Sequence, residues 1–149
     1  VLFRSRSETT VAALLRGARI ERWQRVALAS AKQCGRAVLP EIRVPLTLTT
    51  YLEEPSTAMR MMLVEPGVGR QVDPLRRLVG ERSPGAVIVL VGPEGGWAPS
   101  EVDAAERRGV RLFSLGARTL RADAVTIAAL SVLQCAWDVS EPRAADPLS

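Results

Sequence analysis

VIVLVGPEGGWAPSEVDAAERRGVRLFSLGARTLRADAVTIAALSVLQ, residues Val87 to Gln134, is the stretch that decides the fold. Ala86 to Val91 is continuously apolar, which predicts a strand covered on both faces. Gly92-Pro93-Glu94-Gly95-Gly96 then forms a turn whose glycines let a ligand approach the main chain closely. Pro99 suits the first position of the next helix and Glu101 its positive end, and Gly109 closes that helix after about Arg108. A second strand, Val110 to Leu115, leads into a loop at Gly116 to Leu120. The closing helix, Ala122 to Trp137, is apolar nearly all round: Val125, Ala128, Ala129, Val132, Leu133 and Ala136 form one face, while Ile127 and Leu130 occupy the other. Such a helix needs cover on more than one side, from the sheet and from a partner chain. Two strand ends and two open loops therefore share one edge of a parallel α/β sheet, where open sheets of this kind bind small molecules.

Upstream, the same rhythm of strand, turn, helix and turn continues. Met59 to Val64 is an apolar strand ended by Glu65-Pro66-Gly67, Val72 to Leu78 reads as a short helix, and Ser83-Pro84-Gly85 as a turn. Leu39 to Pro45 is an extended connector and Leu46 to Leu52 a turn of helix. From Ile20, Trp23, Val26, Ala27, Ser30, Ala31 and Cys34 recur at helical spacing, with Arg22, Arg25, Lys32 and Arg36 off that stripe and Gly35 as the stop. Residues 140–149 carry two prolines and mixed charges and are expected to fray.

A chain of 149 residues with 47% hydrophobic and 24% charged residues has the composition of one soluble globular domain. No apolar run is long enough for a bilayer-crossing helix. The formal charge is +4 and Lys32 is the only lysine. Arginine forks onto phosphate and stacks on bases, which suits nucleic acid, but a GC-rich genome writes the same bias. Cys34 and Cys135 have no paired spacing and are expected to be buried, reduced thiols of a cytoplasmic protein. There is no histidine. That excludes Ser-His-Asp and Cys-His nucleophile schemes, histidine metal sites and the usual general base, leaving carboxylates, arginines, backbone amides or a reactive cofactor.

The Gly92 to Gly96 turn lacks the lysine and hydroxyl of a P-loop and the GxGxxG spacing of a dinucleotide fold, and its central Glu94 repels an anion. By itself it fits a structural turn as well as a site. The loop Leu115-Gly116-Ala117-Arg118-Thr119-Leu120-Arg121 shifts that balance by setting two arginines at a second strand end. Arg118 is compatible with a plain surface charge. Arg121, opening an apolar helix, is expected to face a polar pocket.

GPEGGW followed by an acidic helix, then SLGARTLRADAVTIAAL, resembles the SPOUT-superfamily 16S ribosomal RNA uridine-N3 methyltransferases, as does the helix in ERWQRVALASAKQCGRAVLPEI. The resemblance spans about Val1 to Trp137. It implies a SPOUT-type parallel sheet with flanking helices and a C-terminal deep trefoil knot over residues 1–139, whereas pattern alone gives an unknotted doubly wound sheet. It also implies S-adenosylmethionine as cofactor, held without metal largely through backbone groups of Leu63, Val64 and Glu65, of Gly92, Glu94, Gly95 and Gly96, and of Leu115, Gly116, Arg118, Thr119 and Leu120. A homodimer is implied, with 16S ribosomal RNA or the small ribosomal subunit as partner.

The implied reaction is methyl transfer to uracil N3. Arg121 is expected to stabilise charge developing on the uracil carbonyls, with Glu94 and Asp123 as candidate proton acceptors, although Glu94 also suits a role bracing its own loop. Arg22, Arg25 and Arg36 are candidate phosphate contacts and Gln33 a candidate base or backbone contact; an ordinary solvated face is the competing reading. Where the family usually has Glu then Thr, this chain has Asp123 and Ala124, and Ala98 replaces a hydroxyl cap. The family's preceding PUA-like β-barrel and a further helix are expected to be missing, so a non-catalytic RNA- or nucleotide-binding remnant of the same fold stands as the alternative.

Overall fold

The computed structural model describes residues 17–35, 37–65, 70–93, 95–118 and 120–137. The expectations for residues 1–16, for Arg36, Glu94 and Thr119, and for the tail at 140–149 lie outside the described residues. The chain divides into two compact units, Val1–Glu54 and Pro55–Ser149.

In the first unit, helix α1 spans Gly17–Cys34 and α2 spans Leu48–Glu53. Helix α1 stops where Gly35 turns left-handed at φ 70°. Its inward stripe is narrower than the sequence predicts: Ile20, Trp23 and Ala27 are half-buried and Ala31 buried, at spacings of three and four. Val26, Ser30 and Cys34 are exposed, so the stripe does not extend to the end of the helix. Thr47 caps α2, its hydroxyl oxygen accepting from Thr50 N at 3.1 Å. Arg43 forks onto both carboxylate oxygens of Glu54 at 3.0 and 2.9 Å, which raises the guanidinium pKa above its ordinary value.

The second unit holds a four-stranded, all-parallel sheet: β1 (Met59–Leu63), β2 (Asp73–Pro74), β3 (Val87–Val91) and β4 (Arg111–Ser114), in the order β2-β4-β1-β3. Among the described residues, helix α3 (Pro99–Arg107) follows β3 and helix α4 (Ala122–Trp137) follows β4. Side-chain alternation sends Met61 and Leu63 to one face, where they cluster with Phe113, Leu75, Leu78, and Ala129 and Leu133 of α4. Met62, Leu90 and Leu112 point to the other face and are also buried, as are Val102 and Ala105 of α3, which contacts β4. The α/β class with a parallel sheet is as expected.

Two sequence expectations change. β3 is not the fully covered strand: among the described residues it is an edge, with only Leu90 buried, and β1 takes the central place between β3 and β4. An apolar run registers contact with both faces of a sheet but not lateral position in it. The helix predicted over Val72 to Leu78 is instead a two-residue strand and a 3-10 turn, Leu75–Leu78. Pro74 has no N–H for a ladder or a helix interior, so it is tolerated on an edge strand and hands the chain to the tight turn.

Both cysteines are free but exposed, contrary to the expected burial. Cys34 is the last residue of α1, with its thiol 3.6 Å from the Ala31 carbonyl. Cys135 lies two residues, about 200° of helical turn, beyond the core residue Leu133.

Candidate functional site

Three strand ends make the site. A cleft of about 290 Å³ opens at the carboxyl ends of β4, β1 and β3. Leu63, Val64 and Glu65 after β1, Val91, Gly92, Pro93, Gly96 and Trp97 at and after β3, and Leu115, Gly116, Arg118, Leu120 and Arg121 after β4 line it, with Val125 of α4. The position is the one sheet topology favours for ligands. Most cofactor-site candidates are thereby brought together, and Arg121 joins them. Gly95 is exposed and does not line the cleft. Glu94 and Thr119 lie outside the described residues, and of Asp123 only the helical backbone is described. Arg22, Arg25 and Gln33 are exposed on α1, in the first unit.

The turn after β3 owes its shape to its sequence. Gly96 N donates to Pro93 O at 2.8 Å, closing a tight turn, and Gly96 sits at φ 66°, a conformation that favours glycine. Its α-carbon faces Glu65: a Cβ there would stand 3.4 Å from Oε1 of that carboxylate. Trp97 bridges two loops, its indole N–H donating to the Leu63 carbonyl at 2.9 Å. The sequence reading gave Trp97 no role; a tryptophan N–H needing an acceptor directly after a glycine turn was the available signal.

Helix α3 begins at Pro99 with no hydroxyl cap, since Ala98 has none to offer. Glu101 supplies the reverse half of a capping box, its carboxylate accepting from Ala98 N at 2.7 Å. A carboxylate already placed at this helix start makes it a poor seat for phosphate, in line with the doubt that Glu94 raised. Farther along α3, Asp103 and Glu106 both receive the Arg70 guanidinium. Hydrogen bonding to Asp103 is the largest cause of a raised Arg70 pKa; desolvation opposes it, and hydrogen bonding to Glu106 adds to the rise. The chain leaving β1 is thus fastened to the helix that follows the glycine turn.

The cleft has an apolar wall of Leu63, Val64, Val91, Leu115, Leu120 and Val125, one carboxylate at Glu65, and guanidinium groups at Arg118 and Arg121. Both signs of charge beside an apolar wall and exposed backbone suit a zwitterionic ligand with a flat apolar part. Among the described residues no group of three or more His, Cys, Asp or Glu is placed to hold a metal ion. No described helix is long and apolar enough to cross a membrane.

A parallel α/β unit with a three-loop cleft at its carboxyl edge defines a small-molecule-binding domain. The particular kind follows from kinship: residues 2–134 match the RNA methyltransferase domain family, and the chain belongs to it. It is 33% identical over 115 residues to Ribosomal RNA small subunit methyltransferase E of Synechocystis sp., covering 76% of this chain and 37% of that protein. The protein of that name from Mycobacterium bovis is also 33% identical, over 136 residues, covering 83% of this chain and 50% of the relative. Among solved structures, Ribosomal RNA small subunit methyltransferase E of Neisseria gonorrhoeae, bound to S-adenosyl methionine, is similar at TM-score 0.73 and 27% identity, over 93% of this chain and 55% of that one. A Legionella pneumophila methyltransferase in complex with bound cofactor SAM gives 0.67 and 27%, over 90% and 51%. The chain spans about half the length of these relatives, or less. The resemblance read from GPEGGW and SLGARTLRADAVTIAAL is borne out at the level of family.

Proposed function

We propose that this chain carries the S-adenosylmethionine-binding and catalytic part of a methyltransferase acting at uracil N3 of a uridine in 16S ribosomal RNA. The supporting observation is the cleft itself, where three loops from adjacent parallel strands converge, two bearing positive-φ glycines at Gly96 and Gly116. Glu65 suits the cationic part of the cofactor, Arg118 its carboxylate, and the aliphatic wall its adenine. When bound, the cofactor supplies an electrophilic methyl group on a sulfonium centre.

The protein's own contribution is alignment and charge. Methylation of uracil N3 requires loss of the N3 proton, which places negative charge on the flanking carbonyls. Arg121, on the cleft wall at the start of α4, offsets that charge. Asp123 and Glu94 are the carboxylates proposed to receive the proton, Glu94 also bracing its turn. Arg22, Arg25, Gln33 and Arg36 hold the RNA. The three loops are proposed to be threaded in a trefoil knot, which a crystallographic chain trace checks. A second copy packs on the outer face of α4, where Ile127 and Leu130 are 69% and 51% exposed.

Calorimetric titration of the chain with S-adenosylmethionine, followed by mass spectrometry of small-subunit RNA from a deletion strain, tests the proposal. Saturable 1:1 binding and loss of one N3-methyluridine are expected. Absence of binding overturns it in favour of a non-catalytic remnant of the fold, and an unchanged N3-methyluridine content overturns the assigned reaction.

A further inference from the structure

The pairing of β1 with β3 runs from Met59↔Val87 to Leu63↔Val91 and stops there. Met59 N donates to Ala86 O at 3.0 Å. In a parallel ladder of that register, the odd-numbered residues of β1 turn their N–H and C=O toward β3, so the amide next in line for the Leu63 carbonyl is that of Gly92. That carbonyl receives the indole N–H of Trp97 at 2.9 Å. The same ring lies against Gly92: a Cβ there would stand 3.0 Å from Nε1, 3.2 Å from Cε2 and 3.3 Å from Cδ1. Glycine at 92 is therefore what gives the indole room.

We infer that Trp97 is a positioning residue for the cleft, ending the β1–β3 ladder at Leu63 and tying the Gly92–Gly96 turn to the end of β1, so that the two loops are set relative to one another, with Gly96 against Glu65, before a ligand arrives. The Gly96-to-Pro93 hydrogen bond closes the turn one residue before Trp97, so movement of the indole is passed directly to Gly96 and to the Glu65 carboxylate it faces. Trp97 acts through the two loops and takes no part in group transfer. The inference rests on reading the cleft as an S-adenosylmethionine site.

Two opposite perturbations test it. Trp97→Phe keeps a ring and removes the N–H; Gly92→Ala keeps the N–H and drives a methyl group into the indole. Titration of the full chain with S-adenosylmethionine is expected to show about fivefold weaker binding for each, the scale of one lost hydrogen bond. The double variant is expected to bind no worse than the weaker single variant, because the two residues act as a unit. By NMR, the Trp97 indole proton is expected to exchange slowly with solvent before any ligand is added, and Gly92→Ala to accelerate that exchange.

All titrations are made below each variant's own melting transition, so a destabilised variant is still measured folded. Unchanged affinity in Trp97→Phe overturns the inference, as do penalties that multiply in the double variant or an indole proton protected only after ligand is added. If the unaltered chain binds no S-adenosylmethionine, the functional reading fails instead, an outcome distinct from an unaltered chain and a Trp97→Phe variant that bind equally well.

Discussion

Gly96 and Gly109 allow backbone strain to be separated from site geometry. Both hold left-handed backbone, at φ 66° and 73°. Alanine at either position carries the cost of placing a Cβ in that conformation, about 1 kcal/mol. For a chain of this length that lowers Tm by about 2 to 4 °C. The surroundings differ, however. A Cβ at Gly109 meets nothing within 4 Å, whereas at Gly96 it meets Glu65 at 3.4 Å (Oε1) and 3.5 Å (Cδ). Gly109→Ala should therefore cost stability alone. Gly96→Ala should cost similar stability and also set a methyl group in van der Waals contact with the Glu65 carboxylate on the cleft wall, shielding it from the ligand and weakening S-adenosylmethionine binding about three- to tenfold, a fraction of a charged hydrogen bond. Thermal melts by circular dichroism and titration calorimetry on both variants provide the comparison. Equal loss of affinity in the two, or unchanged affinity in Gly96→Ala beside the expected fall in Tm, refutes the reasoning.

Arg121→Ala should lower methyl transfer about 10²- to 10³-fold, the scale of losing a charge-stabilising donor, while calorimetry shows S-adenosylmethionine affinity within about threefold of the original, since backbone-rich loops hold the cofactor; normal turnover removes Arg121 from the mechanism. Ile127→Glu places a charge on the exposed face of α4 and should convert the proposed dimer to a monomer in sedimentation velocity at micromolar concentration, with a far-UV spectrum unchanged. Phe113→Ala empties the centre of the sheet, where Phe113 is fully buried and the Arg111 guanidinium lies 4.8 Å from its ring centroid; urea denaturation should show a loss of about 3 to 5 kcal/mol.

The parts of the fold legible in sequence are those with a local physical cause. Gly35 and Gly109 stop helices because the chain must turn left-handed there, and the structure has both at positive φ. Pro99 opens α3, and Ala122–Trp137 has the predicted bounds because nothing in that run interrupts a helix. Lateral strand order was not legible: β1 and β3 have similar apolar runs, and which of them is central depends on where β4 pairs. Val72 to Leu78 was misread because Leu75 and Leu78, both buried, are spaced three apart in a 3-10 turn as they would be in an α-helix. At the site, the glycine-rich loops could be found because glycine marks close approach to backbone. Trp97 was passed over because its partner is a main-chain carbonyl thirty-four residues away, and a carbonyl has no residue type to search for.

Helix α4 links these levels. A helix covering one sheet face needs one apolar stripe, and Ala129 and Leu133, buried against Met61, Leu75 and Phe113, supply it. Ile127 and Leu130 are surplus to that stripe and stand in solvent. Val125, in the same helix one turn from Arg121, lines the cleft, so the first turn of α4 is a site wall while its outer face is the proposed contact with a second copy. A twofold interface there sets the same patch against itself. It also immobilises the helix that carries Arg121, so in the proposed dimer the order needed at the site is supplied by association. A monomeric Ile127→Glu variant should accordingly lose methyl transfer more than it loses S-adenosylmethionine affinity, because two of the three cofactor loops leave β1 and β3 rather than leading into α4.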